Sequence, residues 1–136
     1  VHPTDTYETL MTHLFQLGAD KLPDLLRNYL AGEIEPKPQD DSKATFCKHI
    51  TKTDGYIDLN NPPSEEQLDR MIRAYFPWPT VWTRMHFKGN EKIVKFLPGK
   101  KLQVEGKNPM GLKDFANGYP ELKGLIERLF GSLNSY

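Results

Sequence analysis

Cysteine is almost absent from this sequence of 136 residues, in which Cys47 stands alone. A single cysteine excludes an internal disulfide framework and is typical of a reducing compartment. No apolar run approaches the roughly 20 residues that cross a membrane. Residues 1–10 have neither the basic flank nor the apolar centre of a signal peptide. We therefore expect a cytoplasmic protein without a membrane partner, and the start without Met is what an excised fragment would show.

Few residues of the sequence are arranged as a catalytic, metal-binding or phosphate-binding site requires. Cys47 and His49 are close, but no second pair completes a zinc site, and Cys47 has no placed base. The adjacent carboxylates at 40–41 and 65–66 fit a solvated connector and a helix N-terminus. No glycine loop for phosphate is present. We predict no catalytic residue, no metal site and no cofactor site in this chain.

The formal net charge is zero, but the charges are unevenly distributed. Residues 1–42 contain three Lys or Arg and eight Asp or Glu, whereas residues 70–113 contain ten and two. A basic region of this kind suits a polyanion partner such as RNA. A solvated surface rich in lysine would explain the same composition about equally well.

Residues 4–32 have apolar positions at helical spacing, with Thr6 as the N-cap. Gly18 and Pro23 interrupt this pattern, so we predict two linked helices with Pro23 in the first turn of the second. Their apolar stripes need a partner surface. Residues 33–54 have little periodicity and predict an extended connector.

Ser64 begins a capping box with Gln67, which predicts the start of a helix. Its core-facing stripe would consist of Leu68, Met71, Ile72, Tyr75 and Phe76. Pro77 and Pro79 end this helix. Trp78, between the two prolines, is predicted to be a core residue, whereas Trp82 could stack on a base. Arg73 could pair with Asp69, form a hydrogen bond with the Pro-Trp-Pro segment, or contact RNA.

Residues 80–87, 92–97 and 101–105 are predicted strands, separated by Gly- and Pro-containing turns. Residues 111–117 predict a short helix, and residues 120–130 a terminal helix with Leu122, Leu125, Ile126 and Leu129 facing inward.

The order of several short segments resembles the C-terminal portion of the methionyl-tRNA formyltransferase family, from the end of its catalytic domain through its linker and C-terminal domain. The resemblance covers residues 4–120 approximately. It is carried by Thr4-Asp5-Thr6, Leu17-Gly18-Ala19, Leu30-Ala31-Gly32, Pro38-Gln39-Asp40, Ala44-Thr45-Phe46, Ile50-Thr51-Lys52, Asp54-Gly55-Tyr56-Ile57-Asp58, Arg70-Met71-Ile72-Arg73-Ala74, Pro77-Trp78-Pro79 and Lys107-Asn108-Pro109-Met110 with Phe115, Gly118 and Tyr119.

The resemblance implies an α+β fold: an N-terminal helical segment, an extended linker, and a small, shortened open β-barrel-like domain with flanking helices. The corresponding divisions are 1–32 for the helical tail of the catalytic domain, 33–55 for the linker and 56–136 for the C-terminal domain. Only 27 positions lie between Pro79 and Lys107, where the family has many more. About three strands of roughly 5–6 residues fit there, so we do not expect a closed barrel.

The resemblance also implies a function. The parent enzyme would transfer a formyl group from 10-formyltetrahydrofolate to initiator Met-tRNA, and this portion would bind the tRNA as a monomer beside the catalytic domain. The family's catalytic Asn, His and Asp and its Ser-Leu-Leu-Pro loop would precede Thr4, and this sequence contains none of them, so whether the chain counts as an enzyme stays open. The predicted tRNA-binding residues are Lys48, Lys52, Arg84, Lys88, Lys92, Lys95, Lys100 and Lys101.

Two other interpretations stay open. The chain could be the matching portion of another folate-dependent formyltransferase or hydrolase that acts on a sugar nucleotide or small molecule. It could also be an interaction module without any link to catalysis. A small-molecule enzyme would not need a basic face, whereas an RNA-binding portion would.

Overall fold

The computed structural model describes residues 1–87 and 89–131. In these ranges the chain is α+β, with four helices and one four-stranded sheet. No helix among the described residues is both long enough and apolar enough to cross a membrane. The elements are, in chain order, α1 (Tyr7–Leu30), α2 (Glu65–Tyr75), β1 (Val81–Phe87), β2 (Asn90–Leu97), β3 (Lys101–Val104), β4 (Met110–Gly111), α3 (Leu112–Gly118) and α4 (Lys123–Phe130).

The sheet is antiparallel and open, with the strands in sequence order. The prediction of an α+β fold without a closed barrel is therefore confirmed. Trp82 lies opposite Lys95, which in turn lies opposite Gln103, so these three side chains share a face. The fourth strand, β4, was not predicted because two residues carry no alternation pattern.

One face of the sheet is covered by helices and forms the core. Alternate side chains of β1, β2 and β3 are buried there against apolar residues of α2, α3 and α4. Phe87, for example, meets Phe115 of α3 with ring centroids 6.5 Å apart. The other face has no helix against it among the described residues. The binary pattern of the strands thus produces a two-layer domain with one face open to solvent.

The prediction of two helices in residues 4–32 is wrong, because α1 is one continuous helix with Pro23 inside it. Thr6 caps it as predicted, in a reciprocal pair with Thr9. Proline at position 23 removes the hydrogen bond that Ala19 would accept. Ala19 is exposed, so water can satisfy its carbonyl group, and the helix continues. None of the residues of α1 is buried in the described chain.

The connector ends in a tight turn that packs on the sheet. Residues 52–55 form a 3-10 turn, and Gly55 is buried. A side-chain carbon at Gly55 would lie 2.0 Å from the carbonyl oxygen of Thr80, so only glycine allows this approach. Beyond the turn, Ile57 N donates to Trp82 O, and Thr83 Oγ donates to Ile57 O. The connector therefore covers the edge of β1.

The capping box of α2 is confirmed, since Gln67 N donates to Ser64 Oγ at 3.2 Å and Ser64 N donates to Gln67 Oε1 at 3.0 Å. The prediction that Trp78 is a core residue is wrong, because it is 60% exposed. Its neighbour Pro79 is buried instead, near Gly55. The turn between the two prolines directs the indole ring outward, which the sequence could not indicate.

Candidate nucleic-acid interface

The uncovered side of the sheet is a polar and cationic surface, which we call the open face. Its side chains alternate along each strand with those of the core. They include two aromatic or aliphatic residues, three fixed cations and several polar groups. The members are Trp82, Arg84 and His86 of β1, Glu91, Ile93 and Lys95 of β2, and Lys101 and Gln103 of β3.

The cations of the open face differ in their partners. Arg84 Nη1 lies 2.7 Å from Glu91 Oε2, so Arg84 is already paired with a carboxylate on the same surface. Lys95 and Lys101 are exposed and form no ion pair with any described residue. These two ammonium groups therefore keep their charge available for an external anion.

The connector adds Lys52 to the open face through Trp82. The indole Nε1 of Trp82 donates to Lys52 O at 2.9 Å. The ammonium group of Lys52 lies 5.7 Å from the centroid of the Trp82 ring, within the range of a cation–π contact. The ring of Tyr56 lies 5.0 Å from that of Trp82 at an angle of 57°. Lys52, Lys95 and two aromatic rings thus form one continuous group.

Lys48 has a different environment, because it pairs with Asp54. Asp54 also accepts hydrogen bonds from Thr51 N at 2.7 Å and from Thr51 Oγ at 2.8 Å. The hydrogen bond from Lys48, followed by those from Thr51, lowers the pKa of Asp54 to about 2. Asp54 in turn raises the pKa of Lys48. Lys48 is therefore placed to stabilise the connector turn, and its ammonium group already has a carboxylate partner.

Two further predicted RNA-binding residues do not extend the open face, and a third is not described. Lys92 lies opposite Met85 in the register, so it belongs to the covered side of the sheet. Lys100 lies in the turn after β2, with its ammonium group 3.9 Å from Glu65 of α2. Lys88 lies outside the described residues. The sequence alone could have placed Lys92 and Lys95 on opposite faces of the sheet. They are three positions apart, and residues an odd number apart in a strand face opposite sides.

Arg73 is used inside the chain. Its Nε lies 2.9 Å from Asp69 Oδ2, which confirms the predicted pair. Its Nη1 also donates to Asp5 O at 2.7 Å, across 68 positions of sequence. The guanidinium group therefore joins α2 to the segment before α1. Sequence spacing predicted the first contact, but nothing in the sequence could reveal the second.

Sequence reasoning missed Tyr56, Gln103 and Glu105 as candidates for the interface. Tyr56 is 44% exposed beside Trp82. Gln103 follows Lys95 across the register, and alternation along β3 would have placed it on the open face. Glu105 lies just beyond the strand and gave no signal. Among the described residues, no group of three or more His, Cys, Asp or Glu side chains could hold a metal ion.

The arrangement is a small α+β domain with one basic, partly aromatic sheet face, and its sequence matches a known domain family. Residues 49–100 match the formyl transferase C-terminal domain. The matched range contains the connector turn, α2, β1 and β2. The geometry and the match therefore define this part of the chain as a formyl transferase C-terminal domain.

Curated relatives give the particular family. A methionyl-tRNA formyltransferase of Chloroflexus aurantiacus is 47% identical over 81 residues, which cover 60% of this chain and 26% of that protein. A methionyl-tRNA formyltransferase of Pseudoalteromonas translucida is 30% identical over 149 residues, covering 87% of this chain and 46% of that protein. One from Methylacidiphilum infernorum is 30% identical over 151 residues, covering 87% and 47%. The chain belongs to the methionyl-tRNA formyltransferase family and corresponds to its C-terminal portion.

The similarity covers only part of each relative, and two of the alignments are longer than this chain. The chain spans less than half the length of these curated relatives, since the covered shares are 26%, 46% and 47%. The alignment with the Pseudoalteromonas protein has 149 positions, more than the 136 residues of the chain. That relative therefore has residues in the aligned region without a counterpart here.

Proposed function

We propose that the open face binds the phosphate backbone of tRNA and helps to present initiator Met-tRNA to the catalytic domain of a methionyl-tRNA formyltransferase. Under this proposal, residues 1–32 are the tail of the catalytic domain, 33–55 the linker, and 56–136 the tRNA-engaging domain. The protein would act in the cytoplasm as a monomer. 10-Formyltetrahydrofolate would supply the formyl group at the catalytic domain, and this chain's own residues would bind and orient the RNA.

The observation that supports this most is the separation of charge between the two sides of the sheet. Lys95 and Lys101 are on the open face without ion pairs among the described residues, and Lys52 is held beside them by Trp82. The covered side is occupied by helices. Two acidic groups lie at or beside this face, Glu91 and Glu105, and Glu91 is already paired with Arg84. The face thus keeps an excess of cations, as phosphate recognition requires.

Binding of this kind positions the RNA without reading its sequence. Lysine ammonium groups on flexible stems neutralise phosphates as point charges and make no contact with base edges. Identity of the tRNA would then be read elsewhere. The predicted contribution of this domain is affinity and orientation, which lower the entropic cost of bringing the aminoacyl group to the formyl donor.

Fluorescence anisotropy with labelled initiator tRNA would test the proposal. The double variant Lys95→Glu/Lys101→Glu should bind more weakly, and its logarithmic salt slope should fall by roughly 0.7–0.9 for each lost phosphate contact. The matched control is Lys113→Glu/Lys123→Glu, which reverses the same amount of charge on exposed positions of α3 and α4.

The control should retain the salt slope of the unmodified chain and lose affinity only through the change in net charge. Equal losses in the two double variants would show that the open face has no special role. Absence of salt-dependent tRNA binding by the unmodified chain would contradict the proposal and favour an enzyme that acts on a small molecule.

A further inference from the structure

The open face contains a shallow depression of about 310 Å³ next to the aromatic pair. Ile93 of β2 presents its apolar side chain there, whereas the side chain of Val104 is buried in the core. The lining residues are Lys52, Ile93, Lys95, Gln103, Val104, Glu105 and Gly106. Because the register places Trp82 opposite Lys95, the depression continues directly into the Trp82–Tyr56 pair.

Two acceptors at the rim keep capacity for an external donor. Glu105 Oε2 accepts a hydrogen bond from Ile93 N at 3.2 Å, and its second carboxylate oxygen accepts none from the described residues. Gln103 donates through Nε2 to Lys107 O at 3.1 Å, which leaves its amide oxygen as an acceptor. Carboxylate and amide oxygens accept hydrogen bonds, as the exocyclic amino group of a nucleobase requires.

The position of Glu105 argues against a phosphate inside the depression. A phosphate seated there would meet a carboxylate, whereas a neutral base would gain a hydrogen bond from it. Lys52 and Lys95 stand at the border, where a phosphate on either side of the base would find an ammonium group. Apolar surface below, acceptors at the edge and cations at the border match a nucleotide whose base is not paired.

We propose that the depression binds one unpaired nucleotide of an RNA, with its base on Ile93 and its amino edge toward Glu105 and Gln103. The flanking phosphates would lie near Lys52 and Lys95. This inference rests on the proposed function, since both use the open face, but it adds a preference for single-stranded over paired RNA. It also adds a preference for bases that carry an amino group over uracil.

The test measures binding of the full chain to RNA hairpins by fluorescence anisotropy at a low and a higher salt concentration, and the hairpins are compared with one another at the same salt concentration. The hairpins share one stem and differ in a four-nucleotide 3′ extension: none, cytidines, uridines, or abasic residues. The abasic extension adds the same phosphates without bases. The cytidine hairpin should bind at least about fivefold tighter than the abasic one, which is the lower limit of base stacking. It should also bind severalfold tighter than the uridine hairpin.

The variant Glu105→Gln identifies the depression, because it removes the carboxylate while keeping the side-chain shape. It should bind the hairpin without an extension at least as well as the unmodified chain, since it loses a negative charge. Its preference for cytidine over uridine should fall toward one. An unchanged preference in Glu105→Gln would overturn the assignment of Glu105.

The outcomes separate this inference from the proposed function. If all hairpins bind equally well and with strong salt dependence, the nucleotide site is absent but the phosphate-binding face stands. If no hairpin binds at low salt, both ideas fail. Circular dichroism of each variant would confirm that the fold is retained.

Discussion

At the scale of single residues, the connector turn depends on Gly55. Its backbone approaches Thr80 so closely that an added side-chain carbon would lie 2.0 Å from the Thr80 oxygen. Gly55→Ala should therefore shift the turn and destabilise the fold by about 1–3 kcal/mol, as overpacking does. Urea unfolding would measure the change. Gly124→Ala is the control, because no atom lies within 4 Å of the added carbon and residue 124 is helical. A similar loss in both variants would contradict the argument.

The pair Lys48–Asp54 predicts a measurable titration. The hydrogen bond from Lys48 is the largest cause that lowers the pKa of Asp54 from 3.8 to about 2. The stabilisation that this carboxylate provides is therefore fully present above pH 3.8 and is lost as the pH falls through about 2. Carbon-13 NMR of the Asp54 carboxyl group should give a midpoint near 2. Lys48→Met should move it upward, and an unchanged midpoint would show that Thr51 alone is responsible.

The sequence alone predicted only some of the residue roles in the candidate interface. The basic character of residues 70–113 follows from composition, and alternation along the strands groups Arg84, Lys95 and Lys101. The pairing of Lys48 with Asp54 depends on a turn whose geometry has no periodic signal. Local patterns report which face a strand residue takes, but they do not report which partner a connector residue meets.

At the scale of elements, α2 shows a helix whose start the sequence predicted correctly. Ser64 and Gln67 satisfy each other's backbone groups in the expected reciprocal way. Ser64→Ala should lower the free energy of unfolding by about 1 kcal/mol. Thermal unfolding would measure this, with Ser64→Asp as a variant that preserves the cap and should lose much less. Equal losses in the two variants would mean that the hydroxyl group does not act as a cap.

The elements that sequence reasoning got wrong share a physical cause. The continuous α1 survives Pro23 because the carbonyl group that loses its hydrogen bond is exposed to water. Trp78 is exposed because a turn between two prolines directs it away from the core. Both outcomes depend on what surrounds the residue in three dimensions. The strands were easier, since alternation of buried and exposed positions is recorded directly in the sequence.

At the scale of the whole molecule, the packing is uneven. The sheet, α2, α3 and α4 share one core, whereas α1 has no buried residue in the described chain. Arg73 provides a hydrogen bond from α2 to Asp5 O, just ahead of α1. The N-terminal helix is therefore attached mainly at its beginning, and its apolar stripe is exposed along the remaining length. Exposed apolar area of this extent is typical of a surface that packs on another unit.

This unevenness predicts that α1 contributes little to the stability of the core. Leu14 and Leu25 are 55% and 52% exposed, so Leu14→Glu/Leu25→Glu should change the free energy of unfolding by less than about 0.5 kcal/mol. The control, Leu68→Ala, removes a fully buried side chain of α2 and should cost about 2–5 kcal/mol. Urea unfolding followed by Trp fluorescence would report on the domain that contains the sheet, since Trp82 lies in β1, Trp78 lies just before it, and both are outside α1. A loss above about 2 kcal/mol in the α1 variant, comparable to a core truncation, would place that helix inside the cooperative unit and contradict its exposed position.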